Sequence, residues 1–431
     1  MNFTGLSTDQ APPISAPLRF FLTAPIFGIV AGVLLFFSDV DLLVSRYSVE
    51  TIVITHIMTI GFFSFVMFGA LTQMLPVLAG AKIAKIKFIA RHSHELLVLG
   101  LVMMILGLYQ SSQIYEIVAF VSLGSGFLMM IISILIAIKN VENITATVKG
   151  MAVSISFAFI VVLMGLFLLF SYIKGETTQL HYAIANIHSV MAIFGFAGIL
   201  IIGVAFQVLP MFYVAPKFKS FCKKYVILLI SAGLFIWLGL NLFYEEYSLF
   251  GKLWIALFYW AFATTVWIKF NRRKRPVSDI TVWYWRAASI FLTLGSFLWI
   301  FDEFFKHEYI VMVAILIGGG FILSILVGML YKIVPFLVWF HLNAMGYMSI
   351  PTINEMINKK IAKVQFSFLM LSIVGFVFSF YMPYLLEISA VSFVVSMALL
   401  EYNILAPVLI YLKTKKTKPD FDMSAFNIQE K

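Results

Sequence analysis

The residues of this sequence that are best suited to bind a metal are its seven histidines, because neutral imidazole binds both haem iron and copper. Three are predicted at the basic, inner side of the chain's helices: His92, His94 and His341. The other four are predicted toward the opposite, outer side: His56, His181, His188 and His307. An ionisable side chain inside a bilayer is costly enough to be a functional candidate. We therefore expect His56 and His188 to bind a cofactor, with His181 and His307 as further candidate metal ligands.

The pattern leaves open whether His56 and His188 share one site. Each is predicted roughly two turns into its helix, where a lone histidine can instead form a hydrogen bond to a neighbouring helix. His56 lies 20 residues before Pro76, whereas His188 lies 22 residues before Pro210. This offset corresponds to about 200° of helix rotation. The register therefore predicts that the two rings point in different directions.

Four other polar residues are predicted inside the membrane or at its edge. Glu401 falls near the bilayer centre, where it either accepts a proton or pairs with a neighbour such as Asn403. The other three each precede a proline by one turn: Gln73, Gln207 and Lys332. They are interpreted as interfacial capping groups with a snorkelling lysine, or as a polar ring that closes the inner end of a central cavity.

The composition identifies the helices that must position these residues. Hydrophobic residues make up 62% and charged residues 12% of the chain, and the mean hydropathy is +1.01, a balance that excludes a soluble globular protein. Apolar runs of about 20 residues match the thickness of a bilayer. The sequence predicts an all-α polytopic membrane protein with about 12 spans, approximately 17–38, 51–75, 93–110, 114–138, 150–172, 181–212, 224–243, 250–268, 282–301, 309–335, 364–382 and 388–412.

The net charge of +10 is explained by orientation in the membrane. With twelve spans and the N-terminus inside, all but four of the 30 basic residues face the cytoplasm; the exceptions are Arg46, Lys174, Lys252 and Lys306. This asymmetry predicts that both termini are cytoplasmic. We expect an integral protein of a bacterial inner membrane whose partner is the lipid bilayer, and we do not expect it to bind nucleic acid.

Three stretches of the chain repeat one pattern: GFFSFVMFGALTQMLP from residue 61, GFAGILIIGVAFQVLP from residue 195 and GFILSILVGMLYKIVP from residue 320. Each opens with Gly-Phe, has a second glycine eight residues after the first, and ends with proline. They fall on predicted spans 2, 6 and 10. The sequence therefore predicts one transmembrane domain built from three pseudo-symmetric four-helix repeats at about 17–138, 150–268 and 282–412, followed by a cytoplasmic tail at 413–431.

Twelve helices in three four-helix units, with histidines on helices 2, 6 and 10 toward the outer side, resemble the catalytic subunit of haem–copper oxidases. The first repeat is similar to the motif of the NnrS family of haem- and copper-containing membrane proteins. The matching residues are His56, Met58, Gly61, Phe62, Gly69, Leu71, Pro76 and Gly80. The resemblance implies that the chain binds haem and/or copper. It also implies a role in respiratory or nitric oxide metabolism, with respiratory or oxidase subunits as possible partners.

The sequence lacks several features of these families, and their absence limits the reactions that we expect of this protein. Predicted span 7 has no histidine pair, and span 10 has no histidine within the membrane, so reduction of oxygen at a haem–copper centre is not expected. The Arg- and Gly-rich signature of the NnrS second half is also absent. Two alternatives stay open. One is a transporter or channel for a metal ion, a proton or a small solute; the other is a non-catalytic assembly factor of an oxidase. Whether the protein is an enzyme stays open as well.

Overall fold

The computed structural model describes residues 12–274, 276, 279–305 and 308–421. This part of the chain is helical and has no strand. Twelve of its helices are long and apolar enough to cross a membrane, which confirms the predicted polytopic all-α architecture. We number them 1 to 12: Ser15–Phe36, Val49–Val77, Ile86–Gln110, Gln113–Lys139, Ala146–Lys174, Gln179–Tyr213, Ser220–Phe243, Glu245–Asn271, Ile280–Phe305, Ile310–Ala344, Lys359–Ser379 and Leu385–Thr414. Helix 12 packs against helix 1, so the order of the helices closes on itself.

Two helices extend about two turns or more beyond the ends that hydropathy predicted. Helix 3 begins at Ile86, about two turns before the predicted start at residue 93, because its first turns carry charged residues that lower the hydropathy but keep helical hydrogen bonds. Helix 10 continues past Pro335 to Ala344. Proline removes one backbone hydrogen bond, but both flanking turns are packed in the core, so the helix persists through it. Pro335 is therefore not at the end of its helix, as the sequence had suggested.

Helices 2, 6 and 10 share a backbone feature that the sequence did not predict. Each contains a π-helical segment, at Ile57–Ser64, Met191–Gly198 and Ile315–Leu323. Such segments are rare and occur frequently at functional sites. In the first one, the Ser64 hydroxyl donates a hydrogen bond of 2.8 Å to the Thr59 carbonyl five residues earlier. In helices 2 and 6 the segment follows directly on the turn that carries His56 or His188, and it contains the first glycine of the repeated stretch.

The first glycine of each repeated stretch contacts a phenylalanine of the preceding helix. A Cβ atom at these glycines would lie 2.5 or 2.6 Å from the phenylalanine ring or its Cβ, closer than real Cβ contacts. The pairs are Gly61 with Phe27, Gly195 with Phe157, and Gly320 with Phe291. Small residues therefore let helices 2, 6 and 10 approach helices 1, 5 and 9 closely.

The second glycine of each stretch also contacts the preceding helix. The residue it contacts lies seven positions before the phenylalanine that the first glycine contacts. The pairs are Gly69 with Phe20 and its neighbour Phe21, Gly203 with Gly150, and Gly328 with Tyr284. The contacts thus recur with one helix order and one spacing. The pseudo-threefold arrangement of three units, with the boundaries given above, stays a prediction.

Candidate functional site

A cavity of about 480 Å³ lies among helices 2, 5, 6 and 10. We call the end of the bundle with the loop between helices 1 and 2 the outer end, following the predicted orientation. The cavity lies toward this end, because its lining includes Leu43, Arg46 and Tyr47 of that loop. All three π-helical segments also contribute to the lining. Its volume is in the range of pockets that hold small molecules and cofactors, and its walls are mostly apolar.

His56 and His188 lie in this cavity and face each other across it. Their ring centroids are 6.3 Å apart and their planes differ by 22°. The rings line one cavity although the register of their helices predicted different directions. The prediction used the spacing between each histidine and the proline of the same helix. Whether the two rings lie close together depends instead on how helices 2 and 6 are rotated about their own axes.

Both imidazoles are oriented by backbone carbonyl groups. The Nδ1 atom of His56 lies 2.7 Å from the carbonyl oxygen of Ile52, and that of His188 lies 3.0 Å from the carbonyl oxygen of Val161. A carbonyl oxygen only accepts, so each Nδ1 carries the proton and donates it. Each Nε2 atom is left with its lone pair, the arrangement that metal-binding histidines commonly adopt.

Local features fix the depth and orientation of the two rings. Helix 2 is capped by Ser48, whose side chain accepts from the Thr51 amide, and helix 6 by Thr178, whose side chain accepts from the His181 amide. Beside His188, helix 5 has Gly165, where a Cβ atom would lie 3.2 Å from the His188 Cε1. The glycine therefore leaves the space that the ring occupies beneath the Val161 carbonyl.

The centroid spacing of the pair matches that of two imidazoles bound to one metal ion. Bonds of about 2 Å to each nitrogen place the centroids of two opposed imidazoles roughly 6 Å apart, close to the spacing here. The described residues contain no group of three or more His, Cys, Asp or Glu side chains that could hold a metal ion. Haem brings four nitrogen ligands of its own and needs only two from the protein, whereas a copper ion would have just this pair. The donor set therefore suits haem better than copper.

Arg46 lines the cavity, whereas its place in the sequence predicted only a charge in the loop between helices 1 and 2. Its guanidinium donates to Asn186 Oδ1 at 3.2 Å, to Ser189 Oγ at 3.0 Å and to the Ala185 carbonyl at 3.4 Å. Burial lowers the pKa of Arg46, an effect that Tyr47 and Asp302 oppose. One feature of the sequence could have identified Arg46 as a candidate functional residue: it is the only arginine among the four basic residues predicted on the outer side.

The structure describes only one of the two further candidate metal ligands, His181. His181 lines the cavity, is only 3% exposed, and has a buried Nδ1 atom with no hydrogen-bond partner. It lies seven residues before His188 on helix 6, which places it about 10 Å nearer the outer end along the helix axis. His307 lies outside the described residues.

The inner polar residues do not line this cavity. Lys332 forms an ion pair of 2.5 Å with Asp279; burial alone would raise the pKa of that carboxyl, but Lys332 holds it below its usual value. Gln73 is buried with neither amide atom bonded, and Gln207 is half-buried. The proposed polar ring therefore does not close this cavity.

Glu401 also lies away from the cavity, on helix 12. Its Oε2 atom is buried and has no hydrogen-bond partner. The pairing with Asn403 considered above is not formed, because the Asn403 amide is bonded to the backbone N–H and C=O of Asn358 at 2.9 and 3.1 Å.

No protein-family model and no curated protein matches this chain. Any functional conclusion therefore depends on the geometry of the cavity and of its histidines.

Proposed function

We propose that this protein is a haem-binding membrane protein in which His56 and His188 bind the iron from opposite sides. The observation that carries the proposal is the facing pair, with centroids 6.3 Å apart and both Nδ1 atoms bonded to carbonyl oxygens. The apolar cavity of about 480 Å³ around the pair supports it, because a porphyrin needs a large apolar space. The resemblance to haem-containing membrane families agrees with this proposal.

A haem in this cavity supplies an iron that gains and loses one electron. His56 and His188 would hold the iron, and a haem held by two protein ligands would supply electron transfer rather than reduction of oxygen or nitric oxide. The lining around the pair is mostly apolar, and the Ile52 and Val161 carbonyl groups hold the rings in place. The proposed setting is a respiratory or nitric oxide pathway in a bacterial inner membrane, with both termini cytoplasmic and a respiratory subunit as electron partner.

The first test is a reduced-minus-oxidised visible spectrum of the detergent-purified protein, with iron and copper analysis. We expect about one haem per chain and the sharp bands of six-coordinate, low-spin iron, because both axial ligands come from the protein. We also expect no spectral change on adding carbon monoxide. A colourless preparation that binds no added haem, or a haem whose spectrum shows an open axial position, would contradict the proposal.

One observation favours the transport alternative as a second candidate. Glu401 places a carboxylate within helix 12 whose Oε2 has no partner, and ionisable groups inside membrane helices frequently mark proton or ion pathways. This site is separate from the histidine cavity. A transport role would therefore depend on residues that haem binding does not use, and the two functions are separable by substitution.

We expect Glu401→Gln to leave the haem spectrum unchanged and not to lower the midpoint of thermal unfolding. The change removes an ionisable group from a site that offers its Oε2 no partner, and it keeps the shape of the side chain. Glu387→Gln is the matched control, since Glu387 is exposed on the same helix. Both variants would also be assayed in liposomes for proton flux driven by a potassium gradient and valinomycin. Flux through the wild type that is lost only in Glu401→Gln would establish the transport candidate; equal flux in all three proteins would remove it.

A further inference from the structure

Helix 10 differs from helices 2 and 6 at two positions of its π-helical segment. Directly before the first glycine of its repeated stretch, helix 10 has two further glycines, Gly318 and Gly319. Helices 2 and 6 have larger residues at the same two positions, and all four line the histidine cavity: Thr59, Ile60, Ile193 and Phe194. Gly318 and Gly319 line it as well. Helix 10 therefore leaves space at positions where the other two helices place side chains.

Neither packing nor backbone conformation requires these two glycines. Outside the helix's own backbone, the atom nearest to a Cβ at Gly318 would be Cε2 of Phe63 at 4.0 Å, and the atom nearest to a Cβ at Gly319 would be Cγ1 of Ile373 at 3.8 Å. Both are ordinary contacts, whereas the adjacent Gly320 has no room for a Cβ. The π-helical turn does not require glycine either, because helices 2 and 6 form it with threonine, isoleucine and phenylalanine at these positions.

The space beside the two glycines belongs to the cavity. Glycine is a poor helix former, because it loses more conformational freedom on folding than any other residue. It is also the residue used where a ligand approaches the backbone closely. The nearest atoms to the space belong to Phe63 and Ile373, which line the same cavity. We call the space beside Gly318 and Gly319 the glycine recess, and its physical effect is to widen the cavity at helix 10.

The glycine recess lies on the inner side of the histidine pair. Its neighbour Phe63 is on helix 2, about two turns inward of His56. The recess and both imidazoles line one cavity. The line between the imidazoles crosses from helix 2 to helix 6, so a flat ring bound between His56 and His188 has one edge toward the inner end. That edge faces the recess.

We infer that the glycine recess takes the inner edge of the flat ring held between His56 and His188, and that Gly318 and Gly319 thereby set the width of the ring that the site admits. The inference rests on the proposed function and adds two specificity-determining residues to it. Helix 10 contributes space to the site rather than a ligand. A porphyrin with side groups fits because these groups extend into the recess. Methyl groups at the two glycines would occupy that space and leave room only for a ring without side groups.

The test compares iron protoporphyrin IX with iron porphine, which has the same iron and ring but no side groups. Haem-free protein from haem-deficient cells is titrated with each compound, and binding is followed by the Soret band. We expect Gly318→Ala and Gly319→Ala each to weaken binding of iron protoporphyrin IX about fivefold to a hundredfold, the usual cost of overpacking. Binding of iron porphine should not change. These variants alter no charge, so a difference between the two compounds reports size.

Thermal unfolding of the haem-free protein gives a second readout. The two alanine variants should not lower the midpoint, because a methyl group makes only ordinary contacts at either position and alanine is the better helix former. Gly239→Ala is the matched control, since nothing lies within 4 Å of a Cβ at Gly239 and this residue does not line the cavity. The control should bind both compounds as the wild type does.

The outcomes separate this inference from the proposed function. If the wild type binds neither compound, the proposed function fails, and the inference fails with it. If the wild type binds both and the alanine variants keep full affinity for iron protoporphyrin IX, the glycine recess takes no ring edge, and the inference is wrong while haem binding stands. Equal loss of both compounds, or a lower midpoint of unfolding, would also overturn the inference, because Gly318 and Gly319 would then support the fold and not the ring.

Discussion

Replacing either His56 or His188 by alanine is expected to leave the purified protein with little or no haem. Each substitution would remove one of the two residues proposed to hold the iron, and the other described histidine that lines the cavity, His181, lies about 10 Å further out along helix 6. Loss of a metal ligand costs more than the tenfold to hundredfold that is typical for losing a residue that merely orients one. We therefore expect haem content to fall at least tenfold in each single variant. Haem content is measured by absorbance after conversion to the pyridine complex.

His92→Ala is the matched control for this experiment. The Nδ1 of His92 also bonds to the carbonyl oxygen four residues earlier, at 3.0 Å from Phe88, as His56 does with Ile52. His92 does not line the cavity. The His92→Ala variant therefore loses an imidazole that makes the same local hydrogen bond but has no second imidazole opposite it. This variant should keep its haem. Full haem content in either cavity variant would show that iron is bound elsewhere and that the facing pair is a structural contact.

The architecture was predictable because it depends on composition and on local pattern. Long apolar runs have few alternatives to membrane helices, since backbone polar groups in a bilayer must be satisfied within the segment. The helices therefore lie where hydropathy predicted them, and the errors are confined to ends such as Ile86 and Ala344, where charged or proline-containing turns lower the signal but not the hydrogen bonding. The repeated glycines were also visible, because close helix packing constrains residue size at fixed spacing.

The residue types of the candidate site could be predicted from the sequence, but its geometry could not. His56 and His188 were predicted as ligands from residue type, depth and their place on helices related by the repeat. The proximity of the two rings depends on the rotation of helices 2 and 6. It also depends on helix 5, which supplies the Val161 carbonyl and the space beside Gly165. A backbone carbonyl has no sequence signature, and a glycine in an apolar helix is common. Arg46 was missed for a related reason: loop residues cannot be assigned to a cavity until the loop is folded.

A close backbone approach of helices 5 and 6 predicts the second large effect. A Cβ at Gly203 would lie 2.8 Å from the Gly150 Cα, and one at Gly150 would lie 2.6 Å from the Gly203 Cα. The obstructing atoms belong to the backbone, so no side chain can turn away, and the helices must separate. We expect Gly203→Ala to destabilise the protein by about 1–3 kcal/mol, the usual cost of overpacking. The midpoint of thermal unfolding in detergent should fall by several degrees.

The same substitution should weaken haem binding, because helix 5 holds His188 through the Val161 carbonyl, and separating helices 5 and 6 lengthens that 3.0 Å hydrogen bond. Gly239→Ala is the matched control: nothing lies within 4 Å of a Cβ at Gly239, and alanine is favoured over glycine in a helix by about 1 kcal/mol. It should leave the midpoint unchanged or raise it. If Gly203→Ala behaved like this control, helices 5 and 6 would not be in contact at these glycines. The support that helix 5 gives to His188 would then lose its structural basis.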